Sequence, residues 1–242
     1  YIMIFTNKGK VYRLKGYEIP EFSRQSKGLP IVNVLPVEKD EKISNIIKLN
    51  VENKEKYLIL ATKQGLIKRT NLEEFENIRA TGKICIKLKE NDELIGVKKT
   101  NGESNILLAS SEGRMNVFDE NEIRVMGRTA SGVKGINLGS AKCVSIENVN
   151  DDDNIVIVTE NGYGKKTLIS EYRKTKRGSK GVKALNITEK NGNIASIKKV
   201  IDDSDIMIIT NQGIIIRLPL EQVSQLGRVT QGTRLINLKS GQ

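Results

Sequence analysis

Histidine and tryptophan are absent from this 242-residue chain, aromatic side chains make up only 4% of it, and it holds two cysteines and four prolines. Without histidine there is no imidazole general base, no Ser-His or Cys-His nucleophile pair, and none of the commonest transition-metal ligand. No catalytic residue, cofactor site or metal site is therefore expected. The two thiols, Cys85 and Cys143, lie within apolar alternations, where small thiols fill strand interiors. No apolar run approaches the roughly 18 residues of a membrane span, and the N-terminus lacks the basic-then-apolar pattern of a signal peptide. A cytoplasmic protein without a membrane partner is expected. Acidic charge is also in deficit, with 29 Asp and Glu against 40 Lys and Arg, a formal net charge of +11. Such an excess draws polyanions, nucleic acid ahead of a membrane surface.

The chain is rich in self-similarity. A run of β-formers, a polar turn ending in glycine and a second β-forming run recur at Tyr1, Tyr57, Ile106, Ile155 and Ile206. The turn glycines, Gly9, Gly65, Gly113, Gly162 and Gly213, are spaced by 56, 48, 49 and 51 residues. Each copy predicts a β-hairpin whose glycine takes a positive φ. A second motif follows, Arg-x-x-x-Gly, at Arg24–Gly28, Arg128–Gly132, Arg177–Gly181 and Arg228–Gly232, with a shortened form at Arg79–Gly82. An apolar strand comes next in every copy, so each unit should hold about four strands. Five such units without intervening helices predict an all-β fold, a propeller-like disc of roughly four-stranded blades. The units run approximately over residues 1–56, 57–105, 106–154, 155–205 and 206–242, as one domain covering 1–242.

Several stretches then carry a family resemblance over nearly the whole chain: GLPIVNVLPVEKDEKI from Gly28, TGKICIKLKENDELIGV from Thr81, SGVKGINL from Ser131, TENGYGKKT from Thr159, the segment from Glu171, and GRVTQGTRLINL from Gly227. In this order they resemble the C-terminal domain of bacterial DNA gyrase A, a β-pinwheel related to the matching domain of topoisomerase IV. The regular copies and TENGYGKKT are more similar to gyrase. The resemblance implies binding and wrapping of duplex DNA on a basic rim, in support of negative supercoiling by an ATP-dependent type II topoisomerase. It also implies two partners, the rest of gyrase A and the whole of gyrase B, for a stretch that is monomeric by itself. The family's glycine-rich basic box is expected upstream of the segment matching Tyr1, which leaves an incomplete or closing sixth blade. Catalysis is expected elsewhere in the holoenzyme.

DNA carries about one negative charge per 1.7 Å of axis, so a wrapping protein needs cations at recurring intervals. The Arg-x-x-x-Gly loops and the residues just after them supply Arg24, Lys27, Arg79, Lys83, Arg128, Lys134, Arg177, Lys180, Lys183, Arg228 and Arg234. A second set after the hairpin turns comprises Arg13, Lys68, Arg69, Arg114, Lys165, Lys166 and Arg217, placed outward if alternation directs them so. The loop glycines could serve close approach to phosphate or only turn geometry. With few aromatics and no recognition helix, little base readout is expected. A propeller that scaffolds protein partners is the competing class, but the Gly-His and Trp-Asp marks of WD repeats are missing and the charge would be unexplained. The acidic runs 151–153 and 202–205 lack EF-hand spacing and suit solvated loops.

Overall fold

The computed structural model describes residues 1–23, 25–49, 55–79 and 81–238, and it is all-β, with single 3-10 turns in place of α-helices. The chain divides into two compact units, residues 1–103 with 123–135, and residues 104–122 with 136–242.

The first unit contains β1 (Ile2–Thr6), β2 (Lys10–Leu14), β3 (Ile43–Lys48), β4 (Tyr57–Thr62), β5 (Leu66–Asn71), β6 (Lys83–Ile84), β7 (Leu94–Thr100) and β10 (Val133–Lys134). They form two four-stranded antiparallel sheets, ordered β3-β1-β2-β6 and β10-β5-β4-β7. The second unit contains β8 (Asn105–Ser110), β9 (Arg114–Asp119), β11 (Cys143–Val149), β12 (Asn154–Thr159), β13 (Tyr163–Leu168), β14 (Val182–Lys183), β15 (Ile194–Val200), β16 (Asp205–Ile209), β17 (Ile215–Pro219) and β18 (Thr233–Arg234). Its sheets are β11-β8-β9-β14, β15-β12-β13-β18 and the hairpin β16-β17.

All five predicted hairpins form, and Gly9, Gly65, Gly113, Gly162 and Gly213 have φ between 71° and 81°, a conformation open to glycine without a Cβ clash. A hydroxyl supports most of these turns: Thr62, Thr159 and Thr210 each accept the backbone N–H four residues on, at 3.2 Å.

The second, third and fourth repeats contain four strands each, and the first and last have three among the described residues, since a 3-10 turn at Ile31–Asn33 stands where a strand is expected after the first loop; nor do the strands of one repeat make one sheet. The two-residue strand after the Arg-x-x-x-Gly loop crosses to the hairpin of the preceding repeat. Lys83 faces Val11, Val133 faces Ile67, Val182 faces Met115, and Thr233 faces Gly164. Beyond each short strand one more bond fixes the register, from the N–H of Cys85, Gly135, Ala184 and Leu235 to the carbonyls of Gly9, Gly65, Gly113 and Gly162, at 2.8–2.9 Å. Every complete sheet is thus closed by a strand that the next repeat donates.

Stacked sheets bury both faces of the central strands. In β4 five of six residues are buried, and in β5 four of six. The first unit's core joins Met3, Phe5, Leu58, Leu60, Phe75 and Cys85 with their neighbours. The second unit's core joins Leu107, Val117, Ile155, Ile157, Tyr172 and Leu185. At roughly 1.5–3 kcal/mol for each fully buried large aliphatic side chain, this packing is the main source of stability. Both cysteines are free and buried, and desolvation pushes the Cys85 thiol up to about 12, which makes it a packing residue.

Candidate nucleic-acid interface

The Arg-x-x-x-Gly loops are held on the preceding hairpin by a repeated set of contacts. The residues before each arginine run beside the second hairpin strand, as a parallel bridge between Arg69 and Val125 and another between Lys166 and Gln225. A carboxylate then fixes the arginine's own backbone. Glu74 accepts from the Arg128 N–H at 2.7 Å, Glu122 from Arg177 at 2.9 Å, and Glu171 from Arg228 at 3.0 Å. Reasoning from charge and turn motifs misses these glutamates. The available signal is their constant position nine residues after the turn glycine, which Glu18 also occupies and Gln222 fills in the last copy.

The loop glycines Gly82, Gly132, Gly181 and Gly232 answer to close packing, whereas a Cβ at Gly28 would meet nothing within 4 Å. Gly132 and Gly232 have φ of 92° and 78°, and a Cβ would lie 2.6 Å from the Ile67 carbonyl and 2.7 Å from that of Gly164. The glycine lets the loop lie against the hairpin of the preceding sheet, so turn geometry and close backbone approach are both in use there.

The predicted cations divide into several groups. Lys27, Arg79, Lys134, Lys180, Lys183 and Arg234 are exposed, and Lys83, Arg128, Arg177 and Arg228 are half-buried at the loops. Arg24 lies outside the described residues. Among the hairpin set, Arg114 and Arg217 are exposed and Lys166 is half-buried. Arg114 donates to the carbonyls of Lys180 and Gly181, at 3.2 and 2.9 Å, which ties a hairpin cation to the loop. Arg217 pairs with Asp205. Arg13 lies 3.7 Å from the centre of the Tyr1 ring and donates to the Glu76 carbonyl, while the buried Arg69 lies 4.8 Å from the centre of the Tyr57 ring. Arg234 packs on the Tyr163 ring and donates to its hydroxyl at 2.7 Å.

Lys68 and Lys165, like the buried Arg69, differ from the outward placement that alternation suggests. Both are wholly buried, and their ammonium groups turn to loop carbonyls. The reason is the covering of β5 and β13 on both faces, so that parity along the strand no longer sorts inside from outside. Burial pushes both lysines down to about 8, and the neighbouring Arg128 and Arg228 act in the same direction.

Among the described residues no group of three or more Cys, Asp or Glu side chains could hold a metal ion, and no helix is long and apolar enough to cross a membrane.

Comparison with known proteins gives concordant results. A family model described as DNA gyrase C-terminal domain, beta-propeller, matches residues 1–50, 56–101, 104–150, 153–201 and 204–242, one match for each repeat. The DNA gyrase A protein of Staphylococcus epidermidis (strain ATCC 12228) is 49% identical over 246 residues, and that of Staphylococcus aureus (strain NCTC 8325) is 47% identical. Both alignments cover 100% of this chain and 28% of the relative. The chain therefore spans just over a quarter of the length of those curated relatives. A crystal structure of the C-terminal domain of DNA topoisomerase IV superposes with a TM-score of 0.86 at 28% identity, over 98% of this chain and 74% of that one. A DNA gyrase A C-terminal domain superposes with the same TM-score at 25% identity, over 99% and 79%.

Proposed function

Since this chain belongs to the DNA gyrase C-terminal domain, beta-propeller, family, we propose that it binds duplex DNA without base readout and bends it along successive arginine loops, in support of negative supercoiling. The observation that carries this reading is the repetition of one device. Arg128, Arg177 and Arg228 each sit in a loop whose backbone is fixed by a glutamate, with further cations at Lys134, Lys180, Lys183 and Arg234. Recurring cations on fixed backbone suit a phosphate lattice of regular pitch, and the +11 charge supplies long-range attraction.

Bending costs roughly 1–6 kcal/mol for 40–90° over 20–30 base pairs, so several loops must act together to offset it. The reading assigns no catalytic residue and no cofactor to this stretch. Its partners are duplex DNA and, in a complete enzyme, the remainder of gyrase A together with gyrase B; the isolated chain is a monomer. The intracellular setting that follows is the nucleoid. A protein-scaffold role lacks any comparable support.

The test is binding to a linear duplex across a salt series, with donor and acceptor dyes on the two ends. The expected result is a steep linear fall of log affinity with log salt, and ends that approach each other on binding. Salt-independent binding, or binding that leaves the end-to-end distance unchanged, would overturn the proposal.

A further inference from the structure

Three residues after the turn glycine, the second, third and fourth repeats place a polar side chain in the sheet interior: Lys68, Asn116 and Lys165, all wholly buried. Each reaches to the arginine loop of the following repeat. Lys165 Nζ donates to the carbonyls of Gly227 and Arg228 at 2.8 and 2.7 Å, and to Thr230 Oγ1 at 3.2 Å. Lys68 Nζ donates to the Gly127 carbonyl at 3.2 Å and to that of Arg128. Asn116 Nδ2 donates to the Lys176 carbonyl at 3.2 Å, while its Oδ1 accepts from Ser179 at 3.1 Å and from Thr175.

Arg128 and Arg228 are consequently gripped twice, with the N–H on a glutamate and the C=O on a buried ammonium. Burying an ammonium is costly, and apolar packing in its place is often as stable or more so. The first and last repeats carry Tyr12 and Ile216 at this position, so the hairpin itself does not demand a lysine. A polar donor stands there where it holds loop carbonyls from beneath, a lysine in the second and fourth repeats and an asparagine in the third.

We propose that Lys68 and Lys165 are positioning residues for DNA binding, which fix the backbone of Arg128 and Arg228 so that the guanidinium groups, that of Arg128 with one nitrogen on the Ile84 carbonyl, turn their remaining N–H groups to phosphate, while touching no DNA themselves. The inference rests on the DNA-binding reading above. The charged and titratable groups around Lys68 are Glu74, Arg128 and Cys85, and those around Lys165 are Glu171 and Arg228. Because burial holds both lysines near 8, against about 10.4 in an unfolded chain, the folded protein releases these protons first. Between those values the unfolded chain binds more protons, so stability rises with pH. Over the same interval each loop loses its ammonium anchor. Between about pH 8 and 9, below the range in which the buried Cys85 thiol and the Tyr12 and Tyr172 hydroxyls, all raised to about 12, make stability fall with pH, fold stability and DNA affinity therefore move in opposite directions, which a purely structural lysine would not produce.

The experiment is a double-mutant cycle on the full 242-residue chain with Lys165→Met and Arg228→Ala, reading affinity for a linear duplex together with thermal midpoint. The expected result for Lys165→Met is an unchanged or raised midpoint with affinity down about fivefold, and no further loss when it is added to Arg228→Ala. Additive losses would overturn the proposal, since the lysine would then act without the arginine. Should Lys165→Met fail to fold, a pH series on the unsubstituted chain decides: affinity that falls between about pH 8 and 9 while the midpoint holds or rises supports the clamp, and flat affinity refutes it. If the unsubstituted chain binds no duplex, the DNA-binding reading fails separately. Amide exchange at Arg228 then judges the clamp itself: it is expected to accelerate in Lys165→Met, and unchanged exchange refutes it.

Discussion

The hairpins β12–β13 and β16–β17 share an apolar first strand and a turn ending in glycine, IVIVTENG against IMIITNQG, and meet different fates. Ile155, Val156 and Ile157 in β12 are all buried, whereas of their counterparts in β16 Met207 stands 64% exposed and Ile206 and Ile208 are only half-buried. The difference does not lie in the apolar first strands. β12 has β15 on its outer side, and β13 has the donated β18, while among the described residues β16 and β17 have only each other. An isolated two-stranded ribbon is marginal in water, and burial of a third and fourth strand is what makes it a stable sheet. Burial in this molecule is thus conferred by neighbouring repeats and not by the apolar content of a hairpin.

Three pairs of substitutions test that contrast. The largest effect is expected in the core: Ile157→Ala should cost about 3–4 kcal/mol, because it opens a cavity in a filled interior, while Ile209→Ala should cost under about 0.5 kcal/mol. Urea denaturation followed by far-ultraviolet circular dichroism reads both, and equal losses would refute the contrast. Next come the glycines with positive φ. Gly232→Ala meets both left-handed strain and the Gly164 backbone, whereas an added methyl at Gly213 meets nothing within 4 Å. About 2–3 kcal/mol is expected for the first and about 1 kcal/mol for the second, from the same denaturation curves. The smallest effect concerns surface cations. Arg234→Ala removes a guanidinium from the Tyr163 ring and should lower stability by about 1 kcal/mol, while Arg217→Ala breaks an exposed pair with Asp205 for a few tenths of a kcal/mol. Thermal melts at low and high salt separate the two, since only the exposed pair should weaken with screening.

The hairpins, the positive-φ turns, the all-β class and the buried thiols could be read from the sequence because each depends on residues close together in the chain. Gly9 announces its turn through Asn7 and Lys8 alone. The donated strands could not be read in this way. Lys83-Ile84 is an ordinary β-forming pair, and nothing in its spacing says that it belongs with Val11 and not with the hairpin of its own repeat. The cations were legible as a recurring set but not as individuals. Lys68 and Lys180 have the same charge at repeat positions of similar regularity, yet one is a buried anchor and the other a surface group. Lys180 lies in a loop, and for Lys68 strand parity would point outward only if one face of the sheet were wet, whereas β5 is covered on both faces.

Strand donation also sets a timetable for the nascent chain. A ribosome makes the hairpin β1–β2 complete at Leu14, but its sheet is finished only when Ile84 has emerged, and the hairpin β8–β9, complete at Asp119, waits for Lys183. Each sheet stays open along one edge until the following repeat has been translated. Completion therefore proceeds from the N-terminus as a series of deferred closures, and a ribosome that stalls within one repeat leaves the sheet begun in the previous repeat unsealed.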